Sequence, residues 1–265
     1  VADRGTRGNA AHDFDRIAPF YDRALTALLF LFGGEKRLRD AIAGLALRAL
    51  EQKSVIEDPA TEERESTTDS ASAAANSSPT RGITEAGDRL IRIPPGSTVL
   101  EVGCGTGSNL VALASMASKA GVDLRLVGID ASRAMVGQAM AKSALAQARI
   151  LVGSSTELPL DDASVDCVLS VLFLHELTPD MRTRSLEEIA RVLARGGVFL
   201  AVDFARPRRF LPSLLYRALR LIETEEALRY CERELRSDVE SHGFELVAES
   251  PLVLGTLSAR TFVKV

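Results

Sequence analysis

Residues 98–108 read Thr-Val-Leu-Glu-Val-Gly-Cys-Gly-Thr-Gly-Ser, a buried-strand pattern that runs straight into Gly103, Gly105 and Gly107. A strand ending in so much bare backbone leaves few architectures open. In an open α/β sheet the ligand crevice lies at the carboxyl ends of the strands, where the winding direction switches. Glycine at such a tip permits positive φ and lets a ligand approach the main chain without a Cβ in the way. The three glycines are therefore expected to make room for a cofactor.

The surrounding chain fits that placement. The stretch 98–102 reads as a strand and 107–119 as a helix. A strand at 124–130, a helix at 132–148 and strands at 149–153 and 165–172 follow. Thr178-Pro179 opens a further helix with an N-cap and a proline at its first position. Its apolar face is Leu186, Ile189, Ala190 and Leu193, and Gly196-Gly197 is expected to end it. A fifth strand reads from 198 to 204. Continuous apolar strands alternating with helices require a parallel sheet covered on both faces. The tail differs: a helix reaching His242-Gly243 precedes two strands, 244–250 and 257–265, expected as an antiparallel pair at the sheet edge. The predicted fold is α/β, a Rossmann-like doubly wound, mostly parallel sheet with that C-terminal pair and a helical N-terminal cap.

Three regions are expected: a helical cap or lid at 1–50, an insert at 51–92, and the cofactor-binding domain at 93–265. Between 57 and 82 there is no Ile, Leu, Val or aromatic residue. Such a segment buries too little apolar area to offset its ordering entropy, so it is expected to be mobile, as a linker or as a partner-docking segment. The whole chain is 46% hydrophobic and 26% charged with a net charge of −4, which gives no argument for a nucleic-acid partner. Cys104, Cys167 and Cys231 lie far apart with no C-x-x-C pair, so no disulfide and no metal site is expected, and the chain reads as cytoplasmic. The opening residues lack the apolar run of a signal peptide, and the apolar run 24–34 is too short to span a bilayer.

A dinucleotide site wants G-x-G-x-x-G, whereas here the spacing is G-x-G-x-G followed by Ser108. The second strand ends at Asp130, where an acid can take two ribose hydroxyls. The acid argues for a nucleoside, and the glycine spacing argues against a dinucleotide. At this point "VLEVGCGTGSNL", "LVGIDAS", "GSSTELPLDDASVDCVLS" and "RVLARGGVFLAVDFARP" resemble, in order and spacing, the motifs of class I S-adenosylmethionine-dependent methyltransferases. The match covers about 97–207. "FDRIAPFYD" at 14–22 resembles the N-terminal signature of the ubiquinone/menaquinone-biosynthesis C-methyltransferases. The resemblance implies S-adenosylmethionine as cofactor. It sets Glu101, Gly103, Cys104 and Gly105 beside the methionyl part, Asp130 on the ribose, and Ala131 and Met135 against the adenine. Ser154 and Ser155 would lie near the adenine amino group, where the family usually has an acid at position 154. Ser170 and Leu172 would border the cofactor, and Tyr21 would cover it or else sit half-buried in the core.

Methyl transfer from a sulfonium is an in-line displacement, so alignment matters most and a base is needed only for a protonated acceptor. The catalytic candidate is His175, just after the fourth strand; its alternative is packing of the loop. Cys104 reads as a small filler. Between 204 and 222 stand five arginines and no acid, with apolar residues at helical spacing. That stretch can contact an anionic membrane surface, line a substrate lid, or simply pack on the domain. The expected activity is methyl transfer to a small, lipophilic acceptor, a quinone-like ring carbon being favoured. O- or N-methylation of another small molecule is the alternative, and a non-catalytic cofactor-binding protein acting through partners is the rival from a different class. The sequence says nothing of oligomeric state.

Overall fold

The computed structural model describes residues 34–57, 93–207 and 225–265. The N-terminal motif with Tyr21, the segment 58–92 and the arginine-rich residues 208–222 lie outside the described residues.

Seven strands form one sheet: β1 (Ser97–Val102), β2 (Leu124–Asp130), β3 (Arg149–Val152), β4 (Val165–Val171), β5 (Leu193–Phe204), β6 (Phe244–Leu252) and β7 (Leu257–Lys264). Their order is β3-β2-β1-β4-β5-β7-β6. β1 through β5 pair in parallel, and β7 runs antiparallel between β5 and β6. The expected sheet and its antiparallel C-terminal pair are thus both present. The chain winds outward from β1 to β3 and resumes on the other side at β4, so the winding switches between β1 and β4. A ligand crevice is expected at the carboxyl ends of those two strands.

Burial on both faces follows from sequence. Val99, Leu100, Val102, Val168 and Phe199 are fully buried, as continuous apolar strands in a covered sheet must be. Helix α1 (Glu35–Glu57) supplies part of the cover, burying Leu38, Ile42, Ala46, Leu47 and Leu50 in the main core. It continues past residue 50, where the cap was expected to end. Lys53 also pairs with Asp166 of β4, whose other oxygen accepts the Thr98 N–H. α1 is therefore joined to the sheet by packing and by charge.

α2 (Ser108–Lys119) starts directly on the glycine loop. α3 (Arg133–Met140) is shorter than the helix expected over 132–148, which breaks into a single 3₁₀ turn at Ser143–Leu145. The break lets Leu145 tuck under Gly107 and Lys142 reach back to donate to Ser108 Oγ at 2.7 Å and Thr106 Oγ1 at 3.2 Å. α4 (Pro179–Val192) begins as expected, with Thr178 Oγ1 accepting from the Met181 N–H. It ends before Gly196-Gly197, because Leu193 is already extended and paired with Val165. After the undescribed residues come α5 (Glu225–Arg229), a π turn at Tyr230–Glu234 and α6 (Leu235–Ser241). Among the described residues no helix is long and apolar enough to cross a membrane.

Candidate cofactor site

The loop after β1 gives two of its glycines different work. Gly103 has φ +66°, and a Cβ there would fall 2.2 Å from Phe173 Cδ2, so the bare backbone admits the ring. Gly105 has φ +51°, and a Cβ there would meet no atom of the described residues within 4 Å. Gly105 is thus the glycine with open space above it. The cleft beside it is lined by Leu38 and Arg39 of α1, Asn109 of α2, Val171 at the end of β4 and Leu172 after it. Leu172 itself has φ +52°, held there by its N–H donating to Val202 O at 2.8 Å.

Glu101 has no exposed surface. Its Oε1 accepts from Asn109 Nδ2 at 2.7 Å, while Oε2 is buried without a hydrogen-bond partner among the described residues. Removal from water raises its pKa, from an ordinary 4.5 to about 7, against the opposing pull of Asn109, Arg39 and Lys142. A buried carboxylate oxygen left without a donor is costly unless a ligand supplies one. The cofactor's amino group is such a donor. The orphaned oxygen and the open face of Gly105 together fit S-adenosylmethionine.

The raised pKa of Glu101 has a consequence for stability. An acid whose folded pKa lies above its unfolded value favours folding fully below the unfolded pKa and loses that contribution as pH rises through the folded one. Thermal stability of the ligand-free protein is therefore expected to fall between about pH 4.5 and 7 on account of Glu101. Melting curves across that window should show the fall in the wild type and a shallower one in Glu101→Gln. Parallel slopes would refute it.

Asp130 stands at the end of β2 as expected. Its Oδ2 accepts the Gly105 N–H at 2.8 Å and its Oδ1 the Ser132 N–H at 2.9 Å, which ties the loop to β2. Ala131 beside it is exposed, whereas Met135 is buried, its N–H capped by Ser132 Oγ. Ser154 is exposed at the end of β3, and its hydroxyl pairs with Thr156 Oγ1 at 2.7 Å. Ser155 is buried with its hydroxyl on Ser185 of α4. Ser170 is buried within β4. Cys104 acts as the expected filler: its sulfur packs over Gly128 of β2, its N–H donates to Ile129 O, and burial pushes its thiol pKa up.

His175, the expected catalytic residue, is buried just after β4 between two carboxylates. Its Nδ1 lies 2.7 Å from Asp203 Oδ1 and its Nε2 lies 3.2 Å from Glu176 Oε1. Burial alone would lower its pKa, but the charge and hydrogen bond of Asp203, with help from Glu176, carry it up to about 10. Both ring nitrogens thus face carboxylates, which favours the protonated imidazole. Asp203 also accepts the Phe204 N–H at 2.9 Å, and the His175 and Phe204 rings lie 5.0 Å apart. Cys231 joins this group, the ligand-type atoms of His175, Asp203 and Cys231 lying within 4.8 Å of one another. The His–Asp contact is a hydrogen bond, and the trio is buried. It fixes the segment after β4 to β5 and the π turn.

Sheet order and site together define the class I methyltransferase architecture. Residues 100–201 match the family described as "Methyltransferase domain". An uncharacterized methyltransferase of Synechocystis is 32% identical over 170 residues, covering 63% of this chain and 76% of that protein. The chain belongs to the S-adenosylmethionine-dependent methyltransferases, and S-adenosylmethionine is its cofactor. The demethylmenaquinone methyltransferase of Bacillus licheniformis is 34% identical over 129 residues, 48% of this chain and 53% of that one. The chain thus spans about half the length of that relative. Among solved structures, the mitomycin 7-O-methyltransferase superimposes with a TM-score of 0.53 at 20% identity, covering 64% of this chain and 49% of that one. That likeness is one of fold.

Proposed function

We propose that this protein transfers a methyl group from S-adenosylmethionine to a ring carbon of a small, lipophilic, quinone-like acceptor. The observation that carries the acceptor is the likeness to demethylmenaquinone methyltransferases, at 34% identity over 125 residues for that of Bacillus subtilis. The bound cofactor supplies a methyl group already activated on sulfonium. The chain's own residues bind, orient and exclude water. Glu101 receives the amino group on its free oxygen, and the backbone at Gly103, Cys104 and Gly105 borders the methionyl part. Asp130, fixed at the end of β2 by the Gly105 and Ser132 N–H groups, takes the ribose hydroxyls. Ala131, Met135, Ser154 and Ser155 border the adenine, and Ser170 and Leu172 enclose the remainder; the role of Tyr21 rests on the motif resemblance alone. His175, protonated and doubly bonded, holds the segment after β4 in place.

The test uses purified protein, methyl-labelled S-adenosylmethionine and a reduced cell extract split into lipid and aqueous fractions. Label is expected in the lipid phase. Label confined to the aqueous phase would discard the quinone-like acceptor while keeping the methyltransferase.

A further inference from the structure

Glu101 stands at the end of a chain of polar contacts that starts on the N-terminal helix. Glu35 and Arg39, one turn apart on α1, form an ion pair, with Arg39 Nε donating to Glu35 Oε1 at 2.6 Å. Arg39 Nη1 donates to Asn109 Oδ1 at 3.0 Å, and Asn109 Nδ2 donates to Glu101 Oε1 at 2.7 Å. A primary amide suits the middle of that chain. It can give a proton to a carboxylate and take one from a guanidinium through the same planar group. The two contacts fix which way the amide faces, and they hold Glu101 by one oxygen while leaving the other without a partner among the described residues.

We propose that Asn109 and Arg39 are positioning residues for S-adenosylmethionine. The amide aims the free oxygen of Glu101 at the cofactor's amino group, and the guanidinium locks the amide from α1, so that the N-terminal helix is part of the cofactor site. This rests on the assignment of Glu101 to the amino group. Arg39 and Asn109 both line the cleft beside Gly105, which places the relay against the ligand rather than behind it.

The relay also keeps Glu101 ionisable in a place that opposes ionisation. The charged groups around it are Arg39 on α1, Lys142 after α3 and Asp130 on β2, and the neutral thiol of Cys104 lies in the loop beside it. Arg39, Lys142 and the Asn109 hydrogen bond favour the carboxylate, whereas burial and Asp130 oppose it. An ammonium ligand pairs with the ionised acid, so binding to a protonated Glu101 must first release its proton. Affinity is therefore expected to climb as pH rises toward 7 and to fall again above about pH 8, where the ligand's own α-amino group loses its proton.

The experiment measures the Kd of S-adenosylmethionine by calorimetry from pH 6 to 9 for the wild type, Asn109→Asp, Arg39→Gln and Glu101→Gln, with a melting curve for each. Asn109→Asp keeps the shape and sets a second carboxylate against Glu101. It is expected to weaken binding at pH 7 at least tenfold and to move the rise in affinity to higher pH. Arg39→Gln sits on a partly exposed helical turn that a glutamine tolerates, so it carries the test if Asn109→Asp does not fold. It is expected to weaken binding several-fold with a shift in the same direction. A purely structural role for either residue would lower the melting temperature and leave the pH profile where it was, and that result overturns the proposal. If Glu101→Gln binds tenfold more weakly while both relay variants match the wild type, the relay falls and the Glu101 assignment stands. If Glu101→Gln binds as the wild type does, the assignment falls and the proposal with it.

Discussion

Asp203→Ala is expected to destabilise the protein by about 3–5 kcal/mol, the usual cost of breaking a buried ion pair from one side. Asp203 is 2% exposed, and its carboxylate serves His175, the Phe204 N–H and the thiol of Cys231. Removing it strands an imidazolium, a backbone donor and a thiol in one apolar place. The histidine sheds its proton rather than remain charged there, so its pKa is expected to fall from about 10 to below neutrality. The sign of the pH dependence follows. A base whose folded pKa is raised contributes stability fully below its unfolded pKa and loses it as pH climbs through the folded one. The penalty of Asp203→Ala is therefore largest below about pH 6.5 and shrinks toward pH 10. Denaturant melts of wild type and variant at both ends of that range measure it. A loss under about 1 kcal/mol, or the same loss at pH 6 and pH 10, would show that the pair does not hold this end of the sheet.

That network also marks how far the sequence could be read. The parallel sheet was legible because period and punctuation agree: apolar strands, a Thr-Pro helix start, glycines at strand tips. Asp130 was legible because a strand end beside a glycine loop is a place where side chains meet ligands. Asp203 carried a signal that went unread, an acid inside the apolar run Val-Phe-Leu-Ala-Val-Asp-Phe. A charge in a central strand must be paired, and its partner had to be sought at neighbouring strand ends, where His175 stands. The surroundings of His175 were not legible, because a histidine flanked by two carboxylates favours the imidazolium and one without them titrates near neutrality. Sequence spacing does not tell them apart. Arg39 gave no signal at all. It reads as one more charge on an amphipathic helix, and 70 residues separate it from the Asn109 it touches. The break in the helix after Met140 was missed for a related reason: local propensity favours helix through Ala-Lys-Ser-Ala-Leu, but Leu145 is drawn under Gly107 by packing that only the fold creates.

Gly103→Ala and Gly105→Ala are expected to part company, although the two glycines look equivalent in sequence. Both have positive φ, so an alanine at either pays roughly 1–2 kcal/mol for the left-handed backbone. At Gly103 the new methyl also lands 2.2 Å from the Phe173 ring. The ring cannot yield cheaply, because the next residues, Leu174 and His175, are buried and His175 is anchored to Asp203. Overpacking of that kind adds about 1–3 kcal/mol, so Gly103→Ala is expected to lose the larger amount of stability and to loosen the segment after β4. At Gly105 the methyl meets no atom of the described residues within 4 Å, so the fold is expected to lose little beyond the backbone term. The methyl instead occupies the open face where the cofactor would lie against the main chain, and S-adenosylmethionine affinity is expected to drop at least tenfold, about 1.4 kcal/mol. Melting curves and calorimetric Kd values on the two variants separate the effects. Equal destabilisation would mean that Phe173 is free to move aside. Unchanged affinity in Gly105→Ala would mean that the open face of this glycine is not where the cofactor sits, and would send the search to the other wall of the cleft, at Leu172.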